Sequence, residues 1–225
     1  MKLSIITVSL NSEKTIRDTI NSVASQNYKN IEHVFVDGGS TDGTLEIIKN
    51  NPFKNKKILI KKRRGIYTAM NEGIKKATGD IIQILNSDDI LESNTVIEEV
   101  ISKIKKNPKY DLYLGNVIFF SEKNYYKIKR YFTSNNFKKE HLDKGSMPPH
   151  PASFVRKKVY KECGLYNDKH KIASDFEFFY KTLKVKKLKF KKLNNNIVRM
   201  RTGGASGQSL KSYYIITKEI FSSLS

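Results

Sequence analysis

The sequence predicts an α/β protein with a doubly wound, mostly parallel central sheet flanked by helices and a small antiparallel part in the C-terminal half. Three observations carry that expectation. Apolar strand-like runs alternate with helical patterns four times over residues 3–106, the order expected of parallel βα units. Polar clusters follow three of those strands, at Ser9-Leu10-Asn11, Asp37-Gly38-Gly39 and Asn86 to Asp89. The pattern then changes to Tyr- and Phe-rich extended runs, which form a different kind of second half.

Each element has its own signal. LSIITVS, residues 3–9, reads as a buried first strand. Asn11-Ser12 starts a helix whose Ile16, Ile20 and Val23 share one face. HVFVDGGSTDGT is a second strand entering a Gly-rich turn, followed by a helix near Leu45–Ile48 and a third strand at Lys56–Ile60. GIYTAMNEGIKKA puts Ile66, Ala69, Met70, Gly73, Ile74 and Ala77 at helical spacing. DIIQILNSDDI is a strand over 80–86 that ends in two carboxylates, and a helix over 93–106 turns Val96, Val100, Ile101 and Ile104 inward.

In the second half, YDLYLGNVIFF and YYKIKRYF read as strands of a hairpin, and MPPHPASFV as an irregular loop with three of the five prolines. Helices follow at Lys157–Cys163 and Ala173–Leu183, then two short strands, KLKFKKL and NIVRMR. From Ser209 an amphipathic helix places Leu210, Tyr213, Tyr214, Ile220 and Phe221 at apolar positions. With no internal repeat or low-complexity linker, residues 1–225 read as one domain. Residues 1–110 form its nucleotide half and residues 111–225 its acceptor-facing half.

Composition narrows the class. A chain of 225 residues is ample for a sizeable core. One cysteine, Cys163, leaves no intramolecular disulfide framework. No run reaches the roughly 18 apolar residues that cross a bilayer. The N-terminal run is too short and too polar for a signal peptide, so the expectation is a cytoplasmic protein. The net charge of +20 admits nucleic acid, an anionic membrane surface or phosphorylated small molecules as partners. No basic recognition helix or RNA-type aromatic signature supports the first of these.

The chemistry concentrates where strands end. Two adjacent carboxylates, Asp88 and Asp89, at the close of a buried strand repel each other and are costly to desolvate. A solvated turn with a helix-capping Asp is one solution. A hard cation, Mg²⁺ or Mn²⁺, held by carboxylates and substrate phosphates is the other. Zinc is excluded by one Cys and four scattered His. VDGGSTDGT is either a plain strand–turn–helix junction capped by Thr41 or Asp42, or it offers Asp37 to a base N–H or ribose hydroxyl. It is not a dinucleotide or phosphate-loop signature. A nucleotidyltransferase would share the nucleotide half and metal carboxylate but would need a Gly-rich loop near the N-terminus, where VSLNSEKT has no Gly.

The ordered blocks SIITVSLNSEKTIRDTINSVASQNYKNIEHVFVDGGSTDGT and GIYTAMNEGIKKATGDIIQILNSDD, with the later HPASFVRKKVYKECGLYNDKHKIASDFEFF and RTGGASG, resemble the family-2 glycosyltransferases of GT-A fold. The likeness is to the bacterial polysaccharide, colanic-acid-type branch and spans nearly the whole chain.

The resemblance implies an inverting transfer of a sugar from a nucleotide-diphosphate donor, by default a UDP-sugar, to a hydroxyl of a saccharide or lipid-linked acceptor in surface polysaccharide synthesis. It implies Asp175 as the base, Asp88 as the ligand of a Mn²⁺ or Mg²⁺ cofactor, and Asp89 as support for the site or a contact to the donor sugar. Donor contacts would come from Val8, Ser9, Asp37, Arg64, Asn71, Asn86 and Ser87. His150 and Gly204 would serve the acceptor or a closing loop. The basic surface and last helix extend the partner list to an anionic membrane on its inner face, with no nucleic acid. Glu177 reads as structural, and His33, His141 and His170 as solvated.

Two places depart from the family pattern. Asn86 stands at the first position of the usual Asp-x-Asp metal motif. Arg63 or Arg64 and Thr68 stand where relatives tend to carry acids, which makes the donor pocket more positive.

Overall fold

A computed structural model describes residues 1–61, 65–121, 124–202 and 210–224. The first half builds a parallel layer. β1 (Leu3–Ser9) lies between β2 (Ile31–Asp37) and β4 (Ile81–Ile84), and β3 (Lys56–Ile60) extends the layer beyond β2. The intervening helices are α1 (Ile16–Ala24), α2 (Thr44–Asn50) and α3 (Ile66–Lys76). The strands alternate strictly. Ile6 and Val8 of β1 pack with α3 residues Met70 and Ile74, while Leu3 and Ile5 pack on the opposite face. Both faces are apolar because both are covered, as parallel sheets require.

β5 (Ile90–Leu91) and α4 (Val96–Lys106) close this half, and α4 buries Val96, Ile97, Val100, Ile101 and Ile104. The second half adds β6 (Leu112–Ser121), β7 (Asn124–Phe132), β8 (Ser153–Arg156), α5 (Lys157–Cys163), α6 (Ser174–Phe179), β9 (Phe190–Arg201) and α7 (Leu210–Leu224). Among the described residues the sheet order is β3-β2-β1-β4-β8-β6-β9-β5, with β7 paired to β6. β8 runs antiparallel to both β4 and β6, and β6 and β9 are parallel. The predicted β6–β7 hairpin is present as an antiparallel pair.

Several expectations need correction. The loop expected over 147–155 contains β8, the strand that joins the two halves; it is short and follows three prolines, so its pattern is nearly silent. The two short strands expected near the C-terminus are one, β9, whose register with β6 slips around Asn116. Asn194 takes a left-handed φ of 59° there, which Asn tolerates better than most residues. The helix expected from Asn11-Ser12 begins only at Ile16, because the two residues instead cross-link to the β2–α2 loop and to the first residue of α2. Asn11, at φ 52°, accepts from the Thr41 amide at 2.9 Å, and the Ser12 amide donates to Thr44 Oγ1 at 2.7 Å. The helix expected over 173–183 is α6 followed by a π-helical turn over Tyr180–Val185.

Candidate functional site

The parallel strands β1, β2 and β4 end on one edge of the sheet, and the predicted polar clusters meet there. Ser9 and Asp37 are register partners, and Ser9 Oγ donates to Asp37 Oδ2 at 2.8 Å. Asp37 Oδ1 accepts from the Gly39 and Ser40 amides at 2.9 and 2.7 Å, and Ser40 Oγ donates to Oδ2 at 2.7 Å. Asp37 is therefore buried and fully engaged in shaping its own Gly-rich turn, where Gly39 takes a φ of 87°. Asp42, with Oδ1 accepting from the Thr44 amide and hydroxyl, orders the start of α2. Ser12 and Ser87 bridge the first and third clusters through their hydroxyls at 2.8 Å. Val8 is buried beside them in the strand.

The carboxylates after β4 divide by burial. Asp89 is fully buried, Asp88 half-buried. Burial pushes both carboxyls up, and the charge of Asp88 pushes Asp89 further. Asn86 Nδ2 donates to Asp89 Oδ2 at 3.1 Å. Asp89 Oδ1 and Asn86 Oδ1 are buried with no hydrogen-bond partner among the described residues. Two orphaned oxygens beside two destabilised carboxylates form a set that a hard dication fits. No group of three or more His, Cys, Asp or Glu gathers among the described residues, so such an ion would need further oxygens from a bound phosphate.

Arg201, at the end of β9, was not singled out by sequence reasoning. It pairs with Asp18, stands 5.2 Å over the Phe120 ring, and favours the charged forms of Asp88 and Asp89. Its position in RTGGASG was the available signal. Arg64 and Gly204 lie outside the described residues.

The second part of the site centres on α6. Asp175 is half-buried in the first turn, where its Oδ1 accepts from the Phe176 amide at 2.9 Å and the Tyr67 hydroxyl at 3.2 Å. Burial raises its carboxyl to about 6, against those hydrogen bonds, and the charge of Glu219 adds to the rise. Tyr67 is the second residue of α3 and also donates to the Ile172 carbonyl. It thus ties the base candidate to the helix that follows β3. Tyr67, absent from the sequence expectations, was visible only as one of twelve tyrosines.

Asn71 and His150 meet around Tyr166. Asn71 Nδ2 donates to the Tyr166 carbonyl at 2.8 Å, and Oδ1 accepts from the Tyr166 amide at 3.0 Å. In this structure Asn71 is a buried clamp on backbone, with both ends of its amide in use. His150 is buried rather than in a surface loop. Its Nε2 lies 2.7 Å from the Tyr166 hydroxyl, and burial lowers its pKa to about 4.

The other histidines correct the expectation of solvation. His33 is fully buried in β2, 2.9 Å from Thr7 Oγ1, and burial pushes its pKa down to about 3. His170 lies between Glu177 at 2.8 Å and Glu219 at 3.6 Å. His141 is half-buried, edge-on to Phe137. Glu177 is structural as expected, joined to Asn167 and His170. Cavities of about 300 and 390 Å³ lie between α1 and α2 and between α6 and the end of α7. None of Asp37, Asp88, Asp89 and Asp175 lines either one.

Comparisons with known proteins bear on the family and the fold. The profile of Glycosyl transferase family 2 matches residues 4–164. A PGL/p-HBAD biosynthesis glycosyltransferase of Mycobacterium bovis is 30% identical over 178 residues, covering 78% of this chain and 67% of that protein. A poly-beta-1,6-N-acetyl-D-glucosamine synthase of Staphylococcus epidermidis is 34% identical over 118 residues, covering 51% of this chain and 28% of that one.

Among solved structures, S. aureus TarS 1–349 in complex with UDP-GlcNAc superposes with a TM-score of 0.76 at 21% identity, over 99% of this chain and 66% of TarS 1–349. A Pyrobaculum calidifontis mannosyltransferase in complex with GDP-Man and Mn²⁺ gives 0.68 at 14% identity, over 98% of this chain and 61% of that one. The chain thus spans about two thirds of the length of these structures. The profile match over more than half of the sequence and the shared architecture place the chain in glycosyltransferase family 2, on a GT-A fold.

Proposed function

We propose that the protein is an inverting glycosyltransferase that moves a sugar from a nucleotide-diphosphate donor, a UDP-sugar first, to a hydroxyl of a saccharide or lipid-linked saccharide. Its setting would be the synthesis of a bacterial surface glycan such as a capsule or O-antigen. The observation that carries this reading is Asp175. It is a carboxylate at the start of α6 that accepts the Tyr67 hydroxyl from α3 at 3.2 Å and is raised to about 6 by burial. The ligands of the TarS and mannosyltransferase complexes, UDP-GlcNAc and GDP-Man with Mn²⁺, support the donor class.

The chain's own residues divide the work. Ser9, Asp37 and Ser40 hold the turn that would receive the nucleoside. Asp88 would hold Mn²⁺ or Mg²⁺, with Asp89 and Asn86 supplying the adjacent oxygens. When bound, such an ion stabilises the charge that grows on the departing diphosphate. Asp175 takes the proton of the acceptor hydroxyl as that oxygen bonds to the anomeric carbon and the bond to the diphosphate breaks. A single direct displacement inverts the anomeric centre. A pKa near 6 leaves Asp175 ionised at neutral pH yet basic enough to accept a proton.

Two measurements test this. In a thermal-shift screen of UDP-, GDP- and CMP-sugars with and without Mn²⁺, the melting temperature should rise with a UDP-sugar, and more with the metal present. Asp175→Asn should lower UDP release from the stabilising donor by about 10²- to 10⁴-fold while leaving its binding intact. Wild-type turnover in that variant would remove Asp175 from the reaction.

A further inference from the structure

The last helix reaches back to the loop that carries the base. Glu219 lies near the C-terminal end of α7, and its carboxylate accepts from three consecutive backbone amides. Oε1 takes Lys171 at 2.7 Å, and Oε2 takes Ile172 at 3.0 Å and Ala173 at 2.8 Å. These residues are 46 to 48 positions away in sequence and run directly into α6. The Ile172 carbonyl receives the Tyr67 hydroxyl, the same group that donates to Asp175. Such an arrangement fixes both faces of the loop, its amides from α7 and a carbonyl from α3.

Glu219 is itself held. His170 Nδ1 lies 3.6 Å from its Oε2, and His170 Nε2 lies 2.8 Å from Glu177 of α6. Burial alone would raise the Glu219 carboxyl, but the three amides and His170 outweigh it and hold it below the usual range. The carboxylate is thus kept charged where that charge acts on Asp175.

We propose that Glu219 is the positioning residue for the base: its carboxylate gathers the 171–173 amides and so sets where α6 begins and where Asp175 points. The inference rests on the reading of Asp175 as the base. Ile220 and Leu224 already give α7 an apolar contact with the core. The titratable groups that act on Asp175 are Tyr67 from α3, Tyr166 from the loop after α5, and Glu219 from α7. Of the three, only Glu219 is a carboxylate.

The test uses the full chain with UDP-GlcNAc and Mn²⁺, reading donor affinity by calorimetry and UDP release across pH. Glu219→Gln keeps one acceptor oxygen but turns an N–H toward amides and removes the charge. Its kcat should fall by about tenfold to a hundredfold at unchanged donor affinity. The acid limb of its kcat profile should move to lower pH, because Asp175 loses a repelling neighbour. Glu219→Asp, shorter but charged, should recover part of the rate with the limb in its wild-type place, and it carries the test if Glu219→Gln does not fold. Wild-type kcat in either variant would overturn the proposal. A slower Glu219→Gln enzyme with an unmoved limb would do so too, since it would leave only a packing role. Asp175→Asn is run alongside. If it is inactive while Glu219→Gln is unaffected, only this inference fails; if it is fully active, the base reading fails and takes the inference with it.

Discussion

Asp175 titrates at about 6 in the folded chain because it is buried, whereas an unfolded Asp titrates near ~3.9. Between those values the folded state binds more protons than the unfolded state, so this residue makes stability fall as pH rises through that window. Above pH 6 the whole penalty applies, and below about 4 none does. Asp175→Asn should therefore raise the unfolding free energy by on the order of 1–3 kcal/mol at pH 8 and leave it little changed at pH 4, as read by urea titration. An equal gain at both pH values would mean that another group carries the shift. If Asp175 is the proposed base, its cost to stability is the pattern expected of a site where function opposes packing. At this scale the sequence was partly legible. Asp88 and Asp89 stand out because paired acids at the end of a buried strand need a reason, whereas Asp175 is picked out only by the family resemblance of IASDFEF. His33 did not stand out, because one histidine in an apolar run looks the same whether it faces solvent or core. Only its place in an all-buried strand, bonded to Thr7 on the neighbouring strand, distinguishes it.

Elements with strong periodicity were readable, and those defined by distant partners were not. β3 and α5 match their expected limits because β-branched runs and i, i+4 spacing are local signals. β8 is four residues long and exists because β4 and β6 offer edges on both sides; nothing local announces it. The slip in β9 is likewise set by β6. Helix α3 shows how an element serves the site. A Cβ added at Gly73 would collide with Ile6 Cγ2 and come within 3.3 Å of Val36 Cγ2, so the helix lies close on the sheet. That closeness places Tyr67 and Asn71 against the second half. Gly73→Val should cost about 1–3 kcal/mol by overpacking and lower UDP release as α3 lifts, measured by thermal unfolding and turnover on the same sample. A variant with lower stability and wild-type turnover would show that the seat of α3 does not matter to the site.

For the whole molecule, the +20 charge and the last helix raise the membrane question. No helix among the described residues is long and apolar enough to cross a bilayer. On α7, Tyr213, Tyr214 and Phe221 are 61%, 70% and 68% exposed, and the latter two share a face one heptad apart. Basic charge with exposed aromatic side chains suits an anionic lipid surface. The protein should pellet with anionic vesicles but not with neutral ones, release as salt shortens the electrostatic range, and bind less well after Tyr214→Ala with Phe221→Ala. Vesicle binding indifferent to salt and to these changes would place the contact elsewhere. The way the two halves are joined bears on a different matter, the engineering of glycan linkages. β8 is inserted between β4 and β6, Asn71 grips Tyr166, and Tyr67 grips the loop before Asp175. The second half, residues 111–225, is therefore not a cassette. A chimera that grafts residues 111–225 from a relative onto this first half inherits a mismatched seam unless α3 travels with the graft, so on the proposed reading acceptor range would be exchanged only together with that helix.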